Sequence, residues 1–390
     1  MVLLANISQI YWKNICKGEN VKTVVILRSQ SIPEDSRVSK WIAELVGLGY
    51  NVKAFGWDRL GKYAENEIVK LNDKSIDVKY FKQECSFGGG MKNLKKMLSF
   101  QKWLKRELNA LNGDIIIHAC DYDTGRVAGK ICKRKKFKLV YDIFDFYTDS
   151  HHLPFPLDQF VRRNEIKLIN NADATIICTE QRKYQINGAK PKQLVVIHNT
   201  PTFDIQGYQN KVNERLRVCF IGSLGYDRLL LEIIEEIDKH PQYDFVFGGL
   251  GAYADECKKA SQNCKNVQYL GSMPYAQVLE VEKDCDVLFA TYNPSVKNHR
   301  YSAPNKFYEA GCLSKPIIVC KDTGIDEIVS QHNTGLVIDY SAKDFFDNLD
   351  KLNNDRELLS TLGENGRLAY TNYFSWDIMS KRIKALYEKL

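Results

Sequence analysis

Apolar residues in this chain fall in short runs, and segments with helical spacing separate the runs. The first run, Val24-Val25-Ile26-Leu27 with Arg28, predicts a strand. A loop with Pro33 follows, and Asp35-Ser36 can cap a helix from Arg37 through Val46 that ends near Gly47-Leu48-Gly49. Val52 to Trp57 and the shorter Asp77 to Phe81 predict two further strands. Gly88-Gly89-Gly90 reads as a flexible joint before an amphipathic helix from Met91 to Leu111. Its apolar positions are Met91, Leu94, Met97, Leu98, Trp103, Leu104 and Leu108, and its other face carries Lys92, Lys95, Lys96, Lys102, Lys105 and Arg106. The unbroken run Asp114 to Ala119 fits a strand buried on both faces. A helix over Gly125–Lys133, a strand over Leu139–Ile143, a helix over Arg162–Asn171 and strands over Thr175–Cys178 and Leu194–His198 complete the first half.

Residues 206–215, QGYQNKVNER, are polar and without periodicity, which places a linker at 206–216. The alternation then restarts, with strands predicted at Val218–Ile221, Phe245–Phe247, Val267–Leu270, Val287–Ala290, Ile317–Cys320 and Leu336–Ile338. Helices close the chain at Asp344–Leu352, Asp355–Tyr370 and Ser375–Leu390. Strand–helix alternation repeated twice predicts an α/β chain of two doubly wound domains, residues 1–205 and 217–370. Residues 371–390 would form a helix packing back toward the first domain. Two such domains in tandem predict a cleft at the carboxyl ends of their strands, where ligands bind in sheets of this kind.

A length of 390 residues suits two cores better than one. Hydrophobic residues at 44% and charged residues at 26% exclude a disordered chain. Eleven cysteines without a CxxC pair read as reduced thiols, not as a disulfide framework or a zinc site. No signal peptide and no run long enough to cross a bilayer is evident, and Met1 to Ile15, interrupted by polar residues, reads as a surface helix or a packed arm. The charge is divided unevenly: residues 1–205 hold 33 Lys and Arg against 22 Asp and Glu, and residues 206–390 hold 22 against 26. A basic half points to an anionic partner, nucleic acid or a membrane leaflet. The lysine face of 91–111 fits a membrane-surface helix, and equally a core helix with a solvated face.

The densest chemistry lies in Ser302 to Val329. Pro304 suits a first helical position, leaving the amides of Asn305, Lys306 and Phe307 at the positive end of the helix dipole as an anion site. Glu309 lies one turn further in, placed to accept hydrogen bonds from a hydroxylated ligand. A phosphate-facing helix with a carboxylate behind it points to a nucleotide sugar.

The chain resembles glycosyltransferase family 4, retaining enzymes of the GT-B fold, in which two Rossmann-like domains face each other across a cleft. The carrying residues are Phe220-Ile221-Gly222 with Arg228, Gly248-Gly249-Leu250-Gly251, Tyr269-Leu270-Gly271, Pro304-Asn305-Lys306-Phe307-Tyr308-Glu309-Ala310, Lys315-Pro316-Ile317-Ile318-Val319 and Thr323-Gly324-Ile325-Asp326-Glu327. The PNKFYEA form looks most like bacterial enzymes that build capsule or other surface polysaccharide. The resemblance implies a hexosyl- or N-acetylhexosaminyl-transferase. It implies a nucleoside diphosphate sugar bound by the C-terminal domain, UDP favoured over GDP, with no cofactor and no metal. Glu309 matches the second glutamate of the family's E-x7-E motif, which bonds the ribose, while Tyr301 stands where the first glutamate is expected. Arg228 matches the basic residue on the diphosphate; Ser223, after Gly222, replaces a frequent arginine, so the Lys306 and Phe307 amides share that task. Asn305 or Lys306 would hold part of the donor sugar, and backbone near Gly249 and Ser272 would read the base. On the acceptor side, His118 and Asp121 fall in the family's H-x-H-D pattern with Cys120 as the departure, and Asp145 is a comparable candidate after the next strand.

Asp121-Tyr122-Asp123 also spells the D-x-D that holds a divalent cation in another glycosyltransferase fold, and His151-His152 is a weaker metal cue. Gly248-Gly249-Leu250-Gly251 has the look of a dinucleotide fingerprint, but no acidic residue closes a following strand. The leading expectation is a cytoplasmic enzyme, peripheral on the inner face of the cell membrane through its basic half. It would move sugar to a lipid-linked saccharide in surface polysaccharide synthesis and bind no nucleic acid. A sugar-nucleotide epimerase of the same architecture and a non-catalytic nucleotide-binding member are the alternatives.

Overall fold

The first apolar run forms β1 (Thr23–Leu27), flanked by β2 (Asn51–Asp58) and β5 (Ile115–Cys120). The computed structural model describes residues 22–71, 74–86, 90–151, 153–202, 210 and 213–390. The expected N-terminal arm, Gly88-Gly89, His152 and most of the linker lie outside these. The chain divides into two units, residues 1–140 and 141–390.

In residues 1–140 the strand order is β3-β4-β2-β1-β5, with β3 at Asn66–Leu71 and β4 at Lys74–Lys82. β1 runs parallel to both neighbours, Thr23 opposite Asn51 on one side and Ile115 on the other. The expected short third strand is the nine-residue β4, and it pairs antiparallel with β3, which the apolar pattern missed. β3 is an edge strand with Ile68 exposed, so it carries little of the burial signal that marks the central strands. The Asp35 carboxylate accepts the amides of Arg37 and Val38, each at 3.1 Å, capping the helix Ser36–Gly47.

The helix Leu94–Ala110 buries Phe100, Trp103, Leu104 and Leu108. Trp57 stacks on Phe100 with ring centroids 5.1 Å apart. Its inner face is therefore core. Leu94 and Leu98 remain about half exposed among the lysines. No helix among the described residues is long and apolar enough to cross a membrane.

β6 (Lys138–Ile143) runs across the boundary at 140, and residues 141–390 continue the order β6-β7-β8 with β7 at Ala174–Ile177 and β8 at Leu194–Val196. A second sheet of six parallel strands follows: β9 (Arg217–Ile221), β10 (Asp244–Gly248), β11 (Val267–Tyr269), β12 (Val287–Ala290), β13 (Ile317–Cys320) and β14 (Gly335–Ile338). Their order is β11-β10-β9-β12-β13-β14, a Rossmann arrangement. Alternate residues serve the two faces. Val218, Phe220, Phe245, Phe247 and Phe289 enter one core, while Cys219, Ile221, Val246, Leu288 and Val319 enter those opposite. Burial on both faces is why these strands read as continuous apolar runs. The last helix, Trp376–Tyr387, packs on the end of β8: Arg382 donates to the Val196 carbonyl at 2.9 Å. Every cysteine among the described residues is a free thiol, and all but Cys264 are buried.

Candidate active site

The order of the six-stranded sheet reverses at β9, between β10 and β12. Loops leaving neighbouring strands diverge there, which opens a crevice at the carboxyl ends. A cavity of about 520 Å³ occupies this position. Eight of the ten donor-binding residues expected from the sequence line it: Gly222, Ser223, Arg228, Gly249, Ser272, Asn305, Lys306 and Glu309. Leu250, Met273, Tyr275, Val278 and Tyr292 also line it and were not expected.

The floor is stitched backbone. The Gly222 amide donates to the Gly248 carbonyl at 2.9 Å, the Gly249 amide to Gly271 at 2.6 Å, and the Tyr269 hydroxyl to Gly249 at 2.8 Å. Gly249 has φ +116, and a β-carbon there would lie 1.8 Å from the Gly222 carbonyl oxygen. Only glycine fits this approach. Gly249→Ala should therefore cost at least about 3 kcal/mol through clash and backbone strain. On a domain of this size that is a Tm lower by about 6–12 °C. A melting curve within a degree of wild type would mean the loops do not meet as described.

Arg228 sits between Asp227 and Leu229, both at positive φ. Its carbonyl accepts from Thr291 at 2.7 Å, and its guanidinium lies 4.6 Å from the centre of the Tyr292 ring. The loop is thus held on both sides, and the cation rests on an aromatic face at the cavity wall.

The helix Asn305–Cys312 supplies the opposite wall. Pro304 is the residue before its first turn, with extended ψ 133°, and not the first helical residue as expected. The Phe307 amide donates to the Pro304 carbonyl at 3.1 Å, and the Phe307 ring packs in the core against Tyr308 and Phe374. Phe307 therefore does not line the cavity, because its turn closes on itself. Lys306 is buried, its ammonium donating to the Ile221 carbonyl and lying 4.4 Å from the Phe220 ring centre. Glu309 is buried one turn behind. Tyr301 ends a short 3-10 turn, Lys297–Tyr301, and does not reach the cavity lining. Its backbone packs on Gly324, whose φ of +78 keeps that approach open.

Behind Glu309 lies a group the sequence reading passed over. Glu282, on the helix Tyr275–Lys283, is wholly buried. Burial, and next the neighbouring Glu309, push its carboxyl well above the usual carboxylate range. The Tyr275 hydroxyl is raised by burial and by Glu309 in the same way. A glutamate at an apolar position of a helical repeat, Tyr275, Val278, Leu279, Glu282, is the signal that marks it.

The acceptor-side candidates divide between the two units. His118 is wholly buried in β5, edge-on to Trp41 with centroids 4.6 Å apart. Asp121, at φ +63, opens the helix Asp121–Lys135 directly from β5, four residues before the expected start. Its carboxylate is paired with Arg28, which also holds Asp35 at 2.7 Å. Burial opposes the charge on Arg28, but the two carboxylates outweigh it and hold the guanidinium proton more tightly than usual. Asp123, the second acid of the D-x-D, accepts from Ser29 at 3.3 Å. In residues 141–390, Asp145 is half exposed and accepts from Arg182 at 3.2 Å and Asn298 at 2.8 Å.

Comparison with known proteins agrees with this geometry. Residues 204–369 match the family described as glycosyl transferases group 1. An uncharacterized glycosyltransferase of Methanocaldococcus jannaschii is 25% identical over 244 residues, 60% of this chain and 66% of the relative. The capsular polysaccharide biosynthesis glycosyltransferase CapM of Staphylococcus aureus is 29% identical over 184 residues, 46% of this chain and 48% of CapM. The chain thus spans about half to two thirds of the length of the curated relatives it matches. Among solved structures, sucrose-phosphate synthase of Thermosynechococcus elongatus superimposes with TM-score 0.75 at 14% identity, covering 94% of this chain and 98% of that one. HepE of Anabaena in complex with UDP gives 0.67 at 16% identity, covering 94% and 100%. The fold is GT-B, with parallel, Rossmann-like sheets.

Proposed function

We propose that the chain is a retaining glycosyltransferase similar to family 4, using a nucleoside diphosphate sugar without a metal. The observation that carries this reading is one helix, Asn305–Cys312. It presents a buried ammonium, Lys306, and a buried carboxylate, Glu309, at the switch-point cavity, inside the segment that matches the group 1 family. Glu309 accepts the two ribose hydroxyls in charge-assisted bonds. Arg228 and Lys306 neutralise the diphosphate as it leaves, which stabilises the transition state electrostatically. In the reaction the anomeric C–O bond to phosphate breaks and its electron pair departs with the diphosphate. The acceptor oxygen bonds the anomeric carbon on the same face, and its proton passes to a donor phosphate oxygen. No side-chain nucleophile is needed.

UDP is favoured as the nucleotide, a reading supported by the similar structures of HepE in complex with UDP and with UDP-glucose. Acceptor binding is assigned to the half of the chain before the linker, residues 1–205, with His118, Asp121 and Asp145 as candidates. A hexose or N-acetylhexosamine would move to a lipid-linked saccharide in surface polysaccharide synthesis, supported by the match to CapM. Membrane attachment would be peripheral, through the lysines and exposed Leu94 and Leu98 of Leu94–Ala110 on the cytoplasmic side.

A thermal-shift panel of UDP, GDP and their sugars tests the donor site. Ligand at a hundred times its Kd adds about 2.7 kcal/mol to stability, so UDP should raise Tm clearly. No shift with any nucleoside diphosphate would sink the reading. Salt-sensitive sedimentation with anionic liposomes, absent when the 92–106 lysines are neutralised, tests the membrane part.

A further inference from the structure

Glu282 has no role in the site as described, yet it is an unusual residue to bury. Neither oxygen has a settled hydrogen bond, and no part of the side chain reaches solvent. A lone buried carboxylate costs far more than a protein of ordinary stability tolerates, so such a group keeps its proton. A neutral carboxyl in turn needs an acceptor. The strongest charge acting on Glu282 is that of Glu309, which lines the cavity in front of it.

The surroundings admit one answer. The groups facing Glu282 are Glu309, Lys306 and Cys312 from the helix Asn305–Cys312, Cys219 from β9, Cys285 after its own helix, and Tyr275 on its own helix. The thiols are buried, and those of Cys219 and Cys312 are shifted upward, so they stay neutral. Among the described residues that act on Glu282, Lys306 is the one cation against two carboxyls. One proton retained between the two acids balances the set, as in other close carboxyl pairs. Tyr275, two turns earlier on the same helix face, lines the cavity and also bears on Glu309.

We propose that Glu282 is a positioning residue: its carboxyl keeps its proton and donates it in a hydrogen bond to Glu309, holding the Glu309 carboxylate toward the nucleotide cavity. This rests on reading Glu309 as the ribose-binding group. Together with the Tyr275 hydroxyl, Glu282 fixes that carboxylate from behind. The site thus holds Glu309 from the neighbouring helix, where Tyr301 supplies no acid in line with it.

The test is UDP affinity by calorimetry from pH 6 to 9.5, for the full chain and for Glu282→Gln, Glu282→Leu and Glu309→Gln. Leucine removes the donor, and UDP should bind about tenfold more weakly at neutral pH. Glutamine still donates but does not titrate, and should bind within about threefold of wild type. The Glu282 pKa is raised, so the wild-type donor is present at neutral pH and lost as pH rises through that pKa. Wild-type affinity should fall further at the alkaline end than that of Glu282→Gln. The other titrating groups remain in that variant, so they do not produce the difference. If Glu282→Leu binds UDP as wild type does while Glu309→Gln is weakened, the proposal fails and the ribose reading stands. If Glu309→Gln itself binds normally, the ribose reading fails and takes this proposal with it. If Glu282→Leu does not fold, Glu282→Gln decides: the same alkaline decline as wild type overturns the proposal.

Discussion

Glu309→Gln should bind UDP about 30- to 150-fold more weakly than the wild-type chain. The figure follows from about 2–3 kcal/mol for the loss of charge-assisted bonds to the ribose hydroxyls. The fold should survive. Gln occupies nearly the same volume, and the core beside it is the apolar set of Phe307, Tyr308 and Ala310. The loss should also be specific to the hydroxyls. With 2′-deoxy-UDP one of the two acceptor bonds is already absent, so the ratio of wild-type to variant affinity should shrink. Calorimetry with both nucleotides makes a double cycle of ligand and protein. A variant that binds UDP within twofold of wild type would remove Glu309 from the site. Equal losses with both nucleotides would place it elsewhere on the ligand.

Lys306→Met is the second large effect, and it should fall on turnover. The methionine keeps the aliphatic stem and removes the ammonium that lies 4.4 Å from the Phe220 ring centre. An ammonium at the diphosphate gains most when the glycosidic bond breaks, since negative charge then builds on the leaving oxygens. Loss of one such group typically costs about 2.7–4 kcal/mol, or a hundred- to a thousandfold in kcat. KM should change much less. UDP release from a UDP-sugar measures both. The variant has a structural cost as well, because the Ile221 carbonyl loses its donor. A purely structural lysine would lower Tm and raise KM with kcat intact, and that pattern would overturn the electrostatic role.

The two halves of the site differ in how they can be seen. Gly222, Gly249, Lys306 and Glu309 are residues whose types are forced by local need. A backbone position where an added β-carbon would lie 1.8 Å from the Gly222 carbonyl oxygen accepts only glycine, and that demand is written in one residue. The six core strands were legible for a related reason. The four central ones, β9, β10, β12 and β13, are buried on both faces, so each is an uninterrupted apolar run. β3 was not legible, because an edge strand with one solvated face has no such run. Phe307 was expected at the phosphate, but its amide is taken up by Pro304 once the helix starts one residue later than Pro304 itself. That choice depends on how the preceding loop enters the helix, which short-range spacing does not set.

What the sequence by itself determined is the alternation of strand and helix, the glycine turns and the helix bearing Lys306 and Glu309. Each follows from interactions within a few residues, or from burial that marks every residue of a run. Tertiary structure alone decided that Ser272 and Tyr275 meet Arg228 around one cavity, since that follows from the order β11-β10-β9-β12-β13-β14. It alone decided that Glu282 lies against Glu309. The two residues are far apart in the chain, and only packing of their helices takes water from both. Once water is gone, two carboxyls beside one ammonium hold one proton between them, and a glutamate on the core face of its helix becomes part of the site.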